Sequence, residues 1–293
     1  MKKIAILLPC LNEGKTIGKI VRDFKEKLPN AEIYVFDNAS TDDTAKKAKE
    51  AGAIVVKVNQ RGKGNVVRNM FRKVDADIYI MTDGDDTYSL SNLSEMIQPV
   101  LDGETDMVVG DRISSTYLIE NKRKFHNFGN KLMKFLINQL FKSNLNDILS
   151  GYRVFNREFV KTIKIKSEGF EIETELTAFA LYNKFDIKEV VVSYKDRDPD
   201  NPSKLNTIRD GYKVLNTYVK IFRNYKPFLF FSLFSTAIAI CAIFFLIPVF
   251  YSYFQTGLVE RFPTLIFGCF LLMASLLFFC SGIILQVIIS RDH

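Results

Sequence analysis

The sequence has no tryptophan, only two histidines and only four cysteines among its 293 residues. His126 and His293 are too few for a histidine-based metal site. Cys10, Cys241, Cys269 and Cys280 show no zinc-ligand or disulfide spacing, and such sparse use fits a reducing compartment. Charge is also missing from one long region. Between Phe228 and Ser290 the charged residues are Glu260 and Arg261 alone, although the whole chain carries 40 Lys and Arg against 33 Asp and Glu. The formal charge of +7 therefore resides before residue 228. Half of the 26 phenylalanines lie in the charge-poor region. The mean hydropathy of +0.03 describes neither part, and a single soluble globular domain is excluded.

Phe228–Tyr251 and Phe262–Ser290 are uncharged runs of 24 and 29 residues. About 20 apolar residues cross a hydrocarbon core of roughly 30 Å, and a core helix of a soluble protein normally keeps a polar face. The short link Ser252–Arg261 makes the two spans a hairpin that returns the chain to its starting side. Lys220, Arg223 and Lys226 precede the first span, whereas the link holds only Arg261 beside Glu260. The positive-inside bias then places the large N-terminal part in the cytoplasm, in a multi-pass protein of the cell membrane. The opening Met1–Ile6 is too short and too soon interrupted for a signal peptide, and reads as a buried strand. The expected organisation is a cytoplasmic α/β domain over 1–204, a juxtamembrane amphipathic helix over 205–227, and membrane helices at 228–251 and 262–290.

Strands and helices alternate through residues 4–100. Ile4–Leu8, Glu32–Phe36, Ile54–Val58 and Asp77–Thr82 read as strands. Helices are expected over Lys15–Lys27, from a Ser40/Thr41 cap to about Ala51, and from Gly62-Lys63-Gly64 onward. This rhythm implies a parallel sheet with right-handed crossovers, in which ligands bind beyond the carboxyl ends of the strands. Polar residues gather at those ends: Asn12 and Glu13, Asp37 and Asn38, Asp83 and Asp85. Each alone is an ordinary turn residue, but their convergence on successive strand ends points to a nucleotide site.

Asp83-Gly84-Asp85 sets two carboxylates around a glycine that allows close backbone approach. Two carboxylates suit Mg²⁺ or Mn²⁺, with coordination positions left for diphosphate oxygens. No phosphate-loop lysine motif and no GxGxxG follows the first strand, so ATPase-type and dinucleotide folds lose support.

The set PCLNE, DNASTD, GKG, DGDDTY, SGYRVF, FEIETE and SKLNT resembles family 2 glycosyltransferases of the GT-A fold. It is most similar to the polyprenyl-phosphate glycosyltransferases of the GtrB type, with two membrane helices, which are related to dolichyl-phosphate mannose synthases. The resemblance spans nearly the whole chain. It implies an α/β GT-A domain, Rossmann-like with a mostly parallel sheet, followed by a two-helix transmembrane hairpin. It also implies an inverting hexosyltransferase that moves a sugar, glucose or N-acetylglucosamine, from a UDP-sugar to undecaprenyl phosphate for cell-wall or surface polysaccharide. Carried over by position, Pro9, Leu11, Asn12, Glu13, Asp37, Lys63 and Asp83 would bind the nucleotide. Asp85, with Asp83, would hold the metal. Asp147, before Ser150-Gly151-Tyr152-Arg153, matches the position of the catalytic base. A lipid phosphate is already largely ionised near neutral pH (second pKa about 6), so Asp147 could equally orient the acceptor or a basic partner.

The acceptor phosphate calls for cations, with Arg112, Arg123, Arg153, Arg197 and Lys204 as candidates. Arg123 and Asn127 match an Arg–Ser pair of the mannose synthases, with Asn replacing Ser. The stretches 122–142 and 205–222 carry apolar residues at helical spacing. Both are expected either at the membrane interface or against the domain's own core. The acidic residues of FEIETE either contact the sugar or merely favour a helix N-terminus. Alternatives are a GDP-mannose-dependent synthase and a non-catalytic nucleotide-sugar-binding scaffold that recruits a flippase. A processive polysaccharide synthase is disfavoured, because its QxxRW motif requires the missing tryptophan. The resemblance further implies a homotetramer, for which Gly268 and Gly282 would allow close helix packing, and a flippase acting downstream. The net positive charge is read as attraction to anionic lipid and diphosphate, not to nucleic acid.

Overall fold

The structure is a computed structural model describing residues 2–115, 124–169, 171–195 and 207–291. The chain forms two compact units, Met1–Leu215 and Asn216–His293, and each is described by itself.

The first unit is built on a seven-stranded sheet ordered β3-β2-β1-β4-β6-β5-β7. Its strands are β1 (Ile4–Cys10), β2 (Glu32–Asp37), β3 (Ile54–Lys57), β4 (Ile78–Met81), β5 (Met107–Asp111), β6 (Arg153–Asn156) and β7 (Ile187–Val191). The central strands are apolar on both faces, because helices cover the sheet from both sides: β4 and β5 are buried at every position, and Ala5 to Leu8 of β1 are fully inaccessible. β3 and β7 form the edges and have only half-buried and exposed positions. Helices α1 (Ile17–Lys27), α2 (Thr44–Glu50), α3 (Lys63–Lys73) and α4 (Leu93–Leu101) connect the first five strands. α5 (Lys124–Phe141), α6 (Arg157–Thr162) and α7 (Ile172–Tyr182) complete the layers.

The parallel half agrees with the alternation in the sequence, β1 pairing with β2 and β4, and β2 with β3. The sheet is mixed overall: β6 runs antiparallel between β4 and β5, with Met81 opposite Arg153. Its N-terminal end therefore lies on the rim where β1, β2, β4 and β5 finish. That inversion brings residues 147–152 to the strand ends.

Two local expectations are corrected. α1 starts at Ile17, not Lys15, because Thr16 Oγ1 is drawn onto the Gly84 carbonyl at 2.6 Å. α2 starts at Thr44, and Ser40 and Thr41 do not cap it. They brace the neighbouring loop instead, Asn12 N donating to Ser40 Oγ and Thr41 N to Asn12 Oδ1. Among the described side chains of α5, Met133 and Ile137 are buried and Phe135 is 58% exposed.

α8 (Thr207–Tyr225) spans the division between the units, and the second unit contains α9 (Pro227–Thr256) and α10 (Phe262–Arg291). Both α9 and α10 are long and apolar enough to cross a membrane. α9 runs five residues past Tyr251, so the link contracts to 257–261 and begins with Gly257 in the left-handed conformation (φ 70°). Gly268 lies against Leu246, and Gly282 against Phe228 and Phe231. Ser235 and Ser275 donate to each other's carbonyls at 2.9 Å, which joins the two helices by polar contacts within an apolar pair.

Candidate active site

Three loops at the carboxyl ends of β1, β2 and β4 each hold a non-glycine residue in the left-handed region: Asn12 (φ 56°), Ala39 (φ 57°) and Asp86 (φ 60°). Such conformations cost of order 1–3 kcal/mol each and persist only where neighbours over-determine them. Here the neighbours are explicit. Glu13 N donates to Thr44 Oγ1 at 2.9 Å, Gly14 N to Asp42 Oδ2 at 3.0 Å, and Ser40 N to Asp37 Oδ1 at 3.1 Å. Asn38 Nδ2 donates to the Val58 and Gln60 carbonyls, and its Oδ1 accepts from Gly62 N at 2.8 Å. The β1, β2 and β3 loops are thereby locked together. Pro9 and Leu11 are half-buried beside them, and Glu13 and Asp37 are buried.

Lys63, at the start of α3, lies between two carboxylates. Its Nζ is 2.5 Å from Asp83 Oδ1 and 2.6 Å from Glu173 Oε1. Burial alone would lower the Lys63 pKa, but the charges of Asp83 and Glu173 outweigh it and raise the pKa above its ordinary value. The glycines flanking Lys63 have a packing reason. Gly62 has φ 118°, and a Cβ on Gly62 or Gly64 would strike the carbonyls of Glu168 or Ser167. That 166–169 segment is itself held by Glu175, whose oxygens accept from Lys166 N and Ser167 N at 2.8 and 2.7 Å. Glu175 thus serves the loop, while Glu173 faces the lysine. A Cβ on Gly151 would lie 2.5 Å from Asp83 Oδ2 and 3.1 Å from Lys63 Nζ, so the 147–152 segment passes directly against this cluster.

On the other side of Gly151 stands a second ion pair. Asp147 is 1% exposed and grips Arg112 with both oxygens: Arg112 Nε donates to Oδ2 at 2.7 Å, Nη2 to Oδ1 at 3.0 Å, and the Arg112 backbone N to Oδ2 at 3.1 Å. Burial pushes the Asp147 carboxyl up, but the Arg112 guanidinium and the surrounding hydrogen bonds hold it below its ordinary value. The guanidinium also lies 6.0 Å from the Tyr88 ring centroid and 5.6 Å from that of Tyr194, within cation–π range. Tyr88 joins the two clusters, its hydroxyl accepting from Gly151 N at 3.0 Å. Burial raises the Tyr88 phenol to about 12, so it stays protonated.

The carboxylate donors suit a hard divalent cation. Asp85 accepts from Thr87 N and Oγ1 at 3.2 and 2.6 Å. Burial, followed by the charges of Glu13, Asp83, Asp37 and Asp85, pushes the Cys10 thiol at the end of β1 well above its ordinary value. No cluster of three or more His, Cys, Asp or Glu ligands occurs among the described residues. That composition fits Mg²⁺ or Mn²⁺ held by one or two carboxylates and completed by phosphate oxygens, rather than a closed protein cage.

One expected phosphate ligand is corrected. Arg153 is fully buried, and its guanidinium donates to the carbonyls of Ser150, Ile148 and Glu173 at 2.8–3.0 Å. Burial lowers its pKa to about 10. It ties the 148–150 turn to α7 and is inaccessible to a ligand. Arg123, Arg197 and Lys204 lie outside the described residues. Tyr88 joins the site without having been singled out, although it stood inside the motif DGDDTY, which is the signal that could have found it. Asn38 was expected at the strand ends and acts there as a brace between loops, and Glu173, one of the acidic residues of FEIETE, faces Lys63.

An acidic rim on a largely parallel sheet, with a DxD turn at its centre, defines a nucleotide-sugar-type α/β domain of the GT-A class. The profile of Glycosyl transferase family 2 matches residues 5–164, and the chain belongs to that family. Glycosyltransferase AglJ of Haloferax volcanii is 32% identical over 224 residues, which are 76% of this chain and 72% of that protein. The dolichyl-phosphate hexose transferase of the same organism is 26% identical across 74% of this chain and 93% of its own. Glucosyl-3-phosphoglycerate synthase of Mycobacterium tuberculosis, solved with Mn²⁺, uridine diphosphate and glucosyl-3-phosphoglycerate, aligns with a TM-score of 0.60 at 22% identity, covering 75% of this chain and 80% of that one. This last likeness concerns the fold.

Proposed function

We propose that this glycosyltransferase moves a hexosyl group from a UDP-sugar to a polyprenyl phosphate at the cytoplasmic face of a membrane, with inversion at the anomeric carbon. The observation that carries this reading is the meeting of two clusters across Tyr88 and Gly151: Asp83–Lys63–Glu173 beside the DxD turn, and Arg112–Asp147 on the other side. The first suits the donor and the second an anionic acceptor. Two membrane-length helices in the same chain favour a lipid acceptor.

In the reaction an acceptor phosphate oxygen attacks the anomeric carbon. The bond from that carbon to the diphosphate oxygen breaks, and the nucleoside diphosphate leaves with the electron pair. Asp85, with Asp83, would hold Mg²⁺ or Mn²⁺, which supplies charge neutralisation for the diphosphate. Lys63 adds a fixed positive charge beside Asp83, and Glu173 keeps that charge in place. Arg112 receives the acceptor phosphate, while Asp147 orients Arg112. A phosphate nucleophile already ionised near neutral pH, with a second pKa of about 6, does not call on Asp147 as a strong base.

The test is a donor screen on the full-length protein with UDP-glucose, UDP-N-acetylglucosamine, UDP-galactose and GDP-mannose, using a short polyprenyl phosphate as acceptor. Transfer from a UDP-sugar supports the proposal. Transfer from GDP-mannose alone would replace the donor assignment. No lipid-linked sugar from any donor would refute the reading as an enzyme of this type.

A further inference from the structure

The acceptor half of the site contains a carboxylate to which no role has yet been given. Glu189 sits on β7, the edge strand, opposite Val109 of β5. Its Oε1 accepts from both Asn146 N and Asp147 N at 2.8 Å, and its Oε2 accepts from Asn146 N at 2.8 Å. These two consecutive amides belong to the turn that delivers Asp147. From there the chain of contacts runs through the Asp147 carboxylate to the Arg112 backbone N, Nε and Nη2.

Glu189 and Arg112 are joined from another side as well. β5, the strand that pairs with β7, ends at Asp111, and Arg112 follows it. Tyr194, three residues after β7, forms a bridge with Tyr88 and places its ring near the Arg112 guanidinium. β7 and the residues that follow it therefore frame Arg112 twice: Glu189 acts on the turn behind it, and Tyr194 lies against its charged face. The placement is not accidental in energy. Glu189 is only half-buried, and burial raises its carboxyl pKa even though both amides favour the charged form. A solvated glutamate would avoid that cost.

We infer that Glu189 is a positioning residue for the acceptor: by clamping the amides of Asn146 and Asp147, it fixes the Asp147 carboxylate and through it the direction of the Arg112 guanidinium. This inference rests on the proposed role of Arg112 in binding the acceptor phosphate. A purely structural glutamate would support the fold without favouring one substrate. A positioning residue affects the acceptor selectively, because a displacement of about 1 Å at a binding group can cost up to 100-fold.

The experiment uses the full-length protein, the donor found active in the screen and a short polyprenyl phosphate. Glu189→Ala is expected to raise the acceptor KM about tenfold, below the roughly 100-fold that a full 1 Å misplacement can cost, with the donor KM unchanged. Glu189→Gln is expected to recover most of the loss, since its Oε1 can still accept from both amides. Glu189→Asp guards against a variant that fails to fold: it keeps the charge but withdraws the oxygens by one methylene, and is expected to raise the acceptor KM at an unchanged melting temperature. In an Arg112→Ala background, Glu189→Ala should add nothing, because its effect passes through the guanidinium.

A raised acceptor KM in Arg112→Ala with an unchanged one in Glu189→Ala overturns this inference alone. So does an equal rise in the donor and acceptor KM of Glu189→Asp, or full additivity in the double variant. An unchanged acceptor KM in both single variants removes Arg112 from the acceptor site, and this inference with it.

Discussion

Replacing Asp147 by Asn separates an orienting role from a basic one. The substitution keeps the volume of a side chain that is 1% exposed, yet it removes the charge facing Arg112, whose side chain is 11% exposed. One amide oxygen can still accept, but the amide nitrogen would confront a guanidinium donor. Breaking one partner of a buried pair costs about 3–5 kcal/mol, and the isosteric amide places this case near about 3 kcal/mol. For a domain of this size, that corresponds to a fall of roughly 6–12 °C in melting temperature. An Arg112 released from its carboxylate loses its fixed direction, so the acceptor KM should rise at least about tenfold. Pairing Asp147→Asn with Arg112→Gln removes the uncompensated charge, and the two changes should show a coupling of about 1–3 kcal/mol. The measurements are thermal unfolding of the detergent-solubilised protein and acceptor kinetics at saturating donor. Loss of kcat by a factor of about 10²–10⁴, with both the melting temperature and the acceptor KM unchanged, would refute the orienting role and make Asp147 a general base.

Three further outcomes are expected. Lys63→Met leaves the Asp83 and Glu173 carboxylates facing each other without their cation, and should cost about 3–5 kcal/mol. Adding Glu173→Gln should restore part of the melting temperature, and an unchanged melting temperature in Lys63→Met would contradict the arrangement. The pH response of Asp147 follows from its lowered pKa: the stabilisation is fully present above the ordinary 3.8 and is lost as the pH falls through the lower folded value. Stability from this pair should therefore be flat from about pH 5 to 8, and an acid transition above pH 5 that disappears in Asp147→Asn would count against it. Chelation of divalent cations should abolish transfer and weaken UDP binding measured by equilibrium dialysis; undiminished UDP binding in EDTA would contradict the assignment of Asp85.

The parallel half of the sheet was readable in the sequence because each of its strands is a short apolar run closed by polar residues. Asn12, Asp37 and Asp83 mark those closures. The antiparallel β6 was not readable: Arg153–Asn156 is four residues long, and nothing local distinguishes its direction. Arg153 was mistaken for a phosphate ligand for a related reason. A guanidinium satisfied by three carbonyls looks the same in sequence as one facing solvent, because its acceptors are main-chain atoms from residues 148, 150 and 173. Ser40 and Thr41 were assigned to a helix cap because capping residues and loop-bracing residues are chemically alike. The membrane-length helices, by contrast, were marked by composition alone.

Among the described residues, the two cations assigned to the proposed chemistry, Lys63 and Arg112, are each held by a carboxylate within 2.7 Å. Holding a cation this way fixes its direction before the substrate arrives, so less conformational entropy is lost on binding. It also reduces the net attraction for an incoming anion. The two sides of the rim resolve that conflict differently. On the proposed donor side Lys63 faces both Asp83 and Glu173, so carboxylates outnumber the cation and a diphosphate there would need a divalent counter-charge. On the acceptor side Arg112 is matched by Asp147, and the clamp formed by Glu189 acts on backbone amides rather than on the guanidinium. In the proposed reaction a monophosphate there would meet an oriented donor array in a nearly neutral pair. Metal dependence should therefore fall on the donor, and geometric sensitivity on the acceptor.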